Sequence, residues 1–98
     1  MHVISKKKLK EFWEDHPLSK VPLEVWFKLM RRGSYGRFAD LQTAFSKGKV
    51  DKVGKYTVFD VGGNKYRVIT VLHYNRGKAY LRKVLTHAEY DKEAWKRQ

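Results

Sequence analysis

Between Tyr56 and Leu85 the chain carries three runs of β-branched and aromatic residues: Tyr56 to Val61, Lys65 to Tyr74 and Lys78 to Leu85. They are separated by Gly62-Gly63-Asn64 and Asn75-Arg76-Gly77, residues suited to the backbone of tight turns. Runs of this kind between such breaks predict two hairpins that share a central strand. Thr86-His87-Ala88-Glu89 follows at once and matches the S/T-x-x-E capping box. A final helix is therefore expected, with Thr86 as N-cap and Glu89 at its third position.

The first half follows a different period. Ser5 precedes a basic and apolar run in which Leu9, Phe12 and Trp13 recur at helical spacing up to Asp15, and His16-Pro17 closes it. Pro22 suits the first turn of a second helix, in which Val25, Trp26, Leu29 and Met30 repeat until Gly33 stops it. Phe38, Leu41 and Phe45 predict a short third helix before Gly48. Helices, then an antiparallel meander, then a short C-terminal helix make an α+β order, expected as one domain over residues 1–98.

The chain has no cysteine, which excludes a disulfide framework and a thiolate zinc site and suits a reducing cytosol. Met1 to Lys10 lacks the apolar stretch of a signal peptide, and no apolar run approaches the roughly 20 residues of a membrane span. A cytoplasmic location is the expectation. There is no internal repeat and no low-complexity tract.

Charge narrows the partner. Twenty-two Lys and Arg against 10 Asp and Glu leave +12, well beyond the roughly 2 to 8 charges that keep a small domain soluble. An anionic partner follows, and nucleic acid fits better than a membrane surface, because no helix opposes a broad apolar face to Lys and Arg. Lys6, Lys7, Lys8 and Lys10 read equally as an RNA-contacting patch or a solvated helix face.

Strand parity decides which side chains can work together, since residues two apart share a face. With Arg76-Gly77 as a two-residue turn, Asn75 pairs with Lys78, Val71 with Arg82 and Arg67 with Thr86. With Gly63-Asn64 as another, Asp60 falls opposite Arg67 and orients its guanidinium. Arg67 and Arg82 then share a face, and Arg67 lies where the last helix begins. His87 in that helix's first turn, Tyr90 three residues on, and Lys65 two before Arg67 converge there. The free N–H groups and positive dipole end of a helix favour phosphate.

Such a group suits metal-free RNA cleavage, in which a 2′-hydroxyl attacks its own phosphate. That reaction needs a base, a cation for the phosphoryl oxygens and an acid for the leaving 5′-oxygen. His87, kept neutral by a helix N-terminus and a neighbouring arginine, is the candidate base; Arg67 is the candidate charge stabiliser. Tyr90 is placed to donate a proton or to stack on a base. Gly62-Gly63-Asn64 resembles a phosphate-cradling loop, but a hairpin turn accounts for it. His2, His16 and His73 show no metal-site spacing, and no metal or cofactor is implied.

Asn64-Lys65-Tyr66-Arg67 and Thr86-His87-Ala88-Glu89-Tyr90-Asp91 together resemble the two signature blocks of the HigB family of toxins within the RelE/ParE superfamily. Trp26 and Phe38-Ala39-Asp40-Leu41 resemble its helical part, so the likeness covers roughly Trp26 to Trp95. The resemblance implies a RelE-like fold, with helices packed on a twisted antiparallel sheet. It also implies the toxin of a bacterial type II toxin–antitoxin pair: a metal-independent endoribonuclease cutting mRNA, commonly on the ribosome. A small helix-turn-helix, HigA-like antitoxin would neutralise it, with operator DNA bound only through the complex. Carried over by motif are Arg67, His87 and Tyr90 as catalytic residues and Asn64 as organiser of the turn. Lys65, Arg82, Lys83 and Lys92 are carried over as RNA-backbone contacts.

Two other functions fit the same residues. A non-catalytic nucleic-acid-binding module needs only the charge and exposed aromatics. A ParE-like toxin would instead poison a topoisomerase.

Overall fold

The computed structural model describes residues 1–97. Strand β1 (His2–Ile4) leads into helix α1 (Lys6–Asp15), a 3-10 turn (Pro17–Ser19), α2 (Lys20–Arg32) and α3 (Phe38–Phe45). Four strands follow, β2 (Val50–Val53), β3 (Tyr56–Val61), β4 (Tyr66–His73) and β5 (Lys78–Thr86), and then α4 (His87–Asp91). A last 3-10 turn spans Ala94–Arg97. The α+β order read from the sequence holds.

Local chemistry explains most boundaries. The fixed φ of Pro17 starts the 3-10 turn that ends α1. Pro22 sits in the first turn of α2, where a missing N–H costs nothing. At Gly33 the need is space rather than a positive φ: a Cβ there would strike the Tyr35 ring. Ser5 does precede α1, but its backbone is left-handed (φ 78°) and its side chain caps nothing; its carbonyl accepts from Lys8 N–H at 2.9 Å.

The sheet is five-stranded in the order β1-β5-β4-β3-β2: the expected three-stranded antiparallel meander gains a strand at each edge, and the one at the β5 edge is parallel. Strand β1 runs parallel to β5, through His2 to Ile4 beside Lys78 to Tyr80. Strand β2 pairs antiparallel with β3, Val53 facing Tyr56 across a turn in which Gly54 has φ +60°. At three and four residues, these edge strands are too short to show an alternation in sequence.

The register of the β4–β5 hairpin also differs. Its loop is a 3-10 turn over Tyr74–Arg76 closed by left-handed Gly77, so His73, not Asn75, pairs with Lys78. Val71 faces Tyr80 and Thr70 faces Leu81; the next pair is Ile69 with Lys83, leaving Arg82 as the extra residue of a bulge. The two departures partly cancel, and Arg67 lies opposite Leu85, one residue from the expected Thr86. The β3–β4 turn is as expected, with Asp60 opposite Arg67.

Alternation along β3 and β4 divides the core. Phe59, Val61, Tyr66 and Val68 pack under the helices with Leu9, Leu23, Trp26, Met30 and Leu41. Tyr56, Val58 and Ile69 form a smaller cluster on the opposite face with Trp95, against which Leu85 and Tyr90 pack. Fully burying one such aliphatic side chain is worth about 1.5–3 kcal/mol. Arg67 shares the second face with Ile69, which places it under α4.

Candidate active site

The site begins with the β3–β4 turn. Gly63 and Asn64 have φ of 60° and 76°, a left-handed pair that suits the twist of a tight hairpin. This bend aims the Asn64 carbonyl back at the first turn of β4, where it accepts from Arg67 Nη1 at 3.1 Å. The Tyr66 carbonyl accepts from the same nitrogen at 3.2 Å. Arg67 Nε is 2.9 Å from Asp60 Oδ1 across the strand pair. The guanidinium is 6% exposed as a residue, so these contacts replace water almost completely.

The remaining terminal nitrogen of Arg67 meets His87. Nη2 lies 2.9 Å from His87 Nδ1, and His87 Nε2 lies 3.0 Å from Asp91 Oδ2 one helical turn on. A guanidinium has only donors, so Nδ1 must be the acceptor and carries no proton. The hydrogen then sits on Nε2 and is donated to Asp91. Each ring nitrogen thus has a specific partner, Arg67 on Nδ1 and Asp91 on Nε2. Asp91 was not singled out there, although its i, i+4 spacing from His87 is a readable helical pair.

Helix α4 is held at both ends of its first turn. Thr86 Oγ1 accepts from Glu89 N–H at 3.2 Å, and Glu89 Oε1 accepts from Thr86 N–H at 2.9 Å, completing the capping box. Hydrogen bonds from Thr86, led by its backbone N–H, hold the Glu89 carboxyl below the usual carboxylate range. His87 N–H donates to the Lys65 carbonyl at 2.9 Å. Two first-turn amides are thus already engaged, which leaves fewer free N–H groups for a phosphate than expected. The contribution of Lys65 to the cluster is its backbone; its side chain is exposed.

Tyr90 lies over this assembly. The Arg67 Cζ is 5.3 Å from its ring centroid, and Trp95 stacks on it at 5.1 Å and 17°. Trp95 Nε1 also donates to the Tyr90 carbonyl at 3.1 Å. Burial, above all, pushes the Tyr90 hydroxyl above its ordinary value, so it remains a protonated donor at neutral pH. With Trp95 and Arg67 against the ring, the expected alternative of stacking on an RNA base is disfavoured. Trp95 was missed because a five-residue separation matches neither helix nor strand period.

The structure therefore brings together Arg67, His87 and Tyr90, with Asn64 and Lys65 joined through their carbonyls. Arg82 and Lys83 line a depression further along the same sheet face, beside Ile69, Tyr56 and Trp95. The bulge, not the expected pairing, turns Arg82 to that side. Lys92 caps the C-terminus of α4. Among the described residues, no helix is long and apolar enough to cross a membrane.

A family model for HigB, described as the RelE-like toxic component of a toxin–antitoxin system, matches residues 19–93. The chain belongs to the HigB toxin family. Over 93% of its length it is 35% identical to the mRNA interferase toxin HigB of Escherichia coli (strain K12), covering 88% of that relative. The same figures hold for the mRNA interferase HigB of Shigella flexneri. The mRNA interferase HigB of Escherichia coli O6:H1 is 30% identical over 94% of the chain and 90% of the relative. As a HigB-family toxin the protein has an antitoxin partner, and its Asp60, Arg67, His87, Tyr90 and Asp91 all fall within the matched segment.

Proposed function

We infer that this toxin is an mRNA-cleaving endoribonuclease whose reaction centre is the Arg67–His87–Tyr90 cluster. The relatives' names, mRNA interferase, support the substrate. The assignment of roles rests on one observation, the 2.9 Å contact between Arg67 Nη2 and His87 Nδ1.

That contact suggests how the site responds to substrate. Arg67 commits Nε and Nη1 to Asp60 and two carbonyls, so Nη2 is the end that can reach a phosphoryl oxygen. A phosphoryl oxygen that replaces His87 as acceptor of the Nη2 hydrogen bond frees the lone pair of His87 Nδ1. The ring can then accept the 2′-hydroxyl proton while Asp91 holds Nε2–H and stabilises the charged imidazole. The 2′-oxygen bonds to phosphorus as the bond to the 5′-oxygen breaks, leaving a cyclic phosphate and a 5′-hydroxyl. Tyr90 donates to that leaving oxygen. Asn64, Lys65, Arg82, Lys83 and Lys92 hold the RNA backbone by charge and hydrogen bonding.

The toxin acts in the bacterial cytoplasm, on mRNA engaged by the ribosome, and is silenced by a HigA-like helix-turn-helix antitoxin; operator DNA is reached through the complex. The family and the +12 charge support this setting. Induction without antitoxin, followed by mapping of message ends, tests it. Growth arrest with fragmented mRNA is expected, and intact mRNA after arrest overturns the nuclease reading.

A further inference from the structure

We propose that the antitoxin docks along an apolar stripe on α2, using a segment that pairs apolar side chains with acidic flanks. The proposal rests on the toxin–antitoxin reading.

Among the described residues, the exposed large hydrophobic side chains are Leu18 (80%), Val21 (69%), Val25 (53%) and Leu29 (38%). Val21, Val25 and Leu29, four residues apart, form a row over about 12 Å of α2, and Leu18 on the preceding 3-10 turn leads into it. Scattered apolar side chains are ordinary on a surface, but a continuous row that collects every exposed large one is not. The helix has already buried its opposite side, since Leu23, Trp26 and Met30 supply the core contact. The stripe is surplus to folding.

Beside the row lies a groove whose walls include Val21, Val25, Leu29, Phe45, Val61 and Gly62. It can receive side chains, so the surface is shaped as well as apolar. Two features select the occupant. On the helical period, Lys28 and Arg32 border the stripe on the side away from the groove, and neither forms an ion pair among the described residues. On a chain of +12 these charges favour an acidic protein segment over a second copy of this chain. Asp60 and Gly62 also line the groove. Asp60 pairs with Arg67, and Gly62 opens the turn that supplies the Asn64 carbonyl. A protein seated there would press on the hairpin that holds the reaction centre.

The test uses the full chain and the neighbouring reading frame whose product restores growth. Val25→Glu places a charge in the middle of the stripe without touching the core. It should still arrest growth when expressed alone, but bind the purified antitoxin roughly tenfold or more weakly and escape rescue. A cysteine-free chain allows a second probe. A single Val21→Cys should be shielded from maleimide by the antitoxin, whereas Lys7→Cys on α1 should not. Unchanged antitoxin affinity of Val25→Glu, or unshielded Val21→Cys, overturns the proposal while leaving the toxin reading intact. So does a dimer of the chain alone, or ribosome binding, that Val25→Glu abolishes with antitoxin affinity unaltered. If no neighbouring product restores growth, the toxin–antitoxin reading falls, and this proposal with it.

Discussion

Arg67 and His87 share a hydrogen bond that only one form of the histidine can make. Arg67 Nη2 donates at 2.9 Å, so His87 Nδ1 accepts and the ring is neutral with its hydrogen on Nε2. Nitrogen-15 spectra of the histidine ring should show this tautomer, and Arg67→Lys should relax it toward a mixture. A ring with its hydrogen on Nδ1 would contradict the geometry.

His87→Ala removes the lone pair that the reaction needs and leaves the Asp60–Arg67 ion pair in place. Cleavage should fall by about 10²- to 10⁴-fold, and wild-type cleavage by this variant would remove His87 from the role of base.

Asp60 and Arg67 form an ion pair with both side chains largely withdrawn from water. Removing one partner leaves a buried charge, so Arg67→Ala or Asp60→Ala should lower unfolding free energy by about 3–5 kcal/mol in urea titrations. The double variant should lose less than the sum of the singles. Loss of activity in Arg67→Ala must accordingly be separated from loss of fold, and His87→Ala is the cleaner probe of chemistry.

Tyr90→Phe keeps the ring between Arg67 and Trp95 and removes only the hydroxyl. Stability should change by less than about 0.5 kcal/mol, while cleavage should fall by about 10²- to 10⁴-fold if the hydroxyl is the proton donor. Wild-type cleavage by Tyr90→Phe would reduce Tyr90 to a packing group. Tryptophan fluorescence, to which Trp95 contributes beside Trp13 and Trp26, should be nearly unchanged in this variant and altered in Tyr90→Ala.

Glu89 tests the capping box through pH. Its carboxyl is held below its usual range by the Thr86 N–H, so the charged form contributes stability above its unfolded value, about 4.3. That contribution is lost as pH falls through the lower folded value. The stability gap between wild type and Glu89→Ala should be open at pH 7 and close in acid; a gap that persists at low pH would argue against the box.

The parts legible in sequence are those decided within a few residues. Thr86 and Glu89 are three apart and bond each other through backbone and side chain, so the pattern is complete in itself. The Gly63-Asn64 turn likewise carries its own geometry, and it placed Asp60 opposite Arg67 correctly. What escaped depends on contacts remote in the chain. Strand β1 exists because β5 offers it an edge, 75 residues or more away in sequence. The bulge at Arg82 answers the longer Tyr74–Gly77 loop, and neither has a unique signal. Trp95 belongs to the site only because the chain folds back over Tyr90.

The two sheet edges that escaped notice have a bearing on the life of the free protein. An outer strand of three residues and another of four, the latter exposing Asp51 and Lys52, offer a neighbouring molecule almost no ladder to extend. A toxin free of its partner must stay dispersed, and margins this short, one of them charged, deny it the easiest route into fibrils.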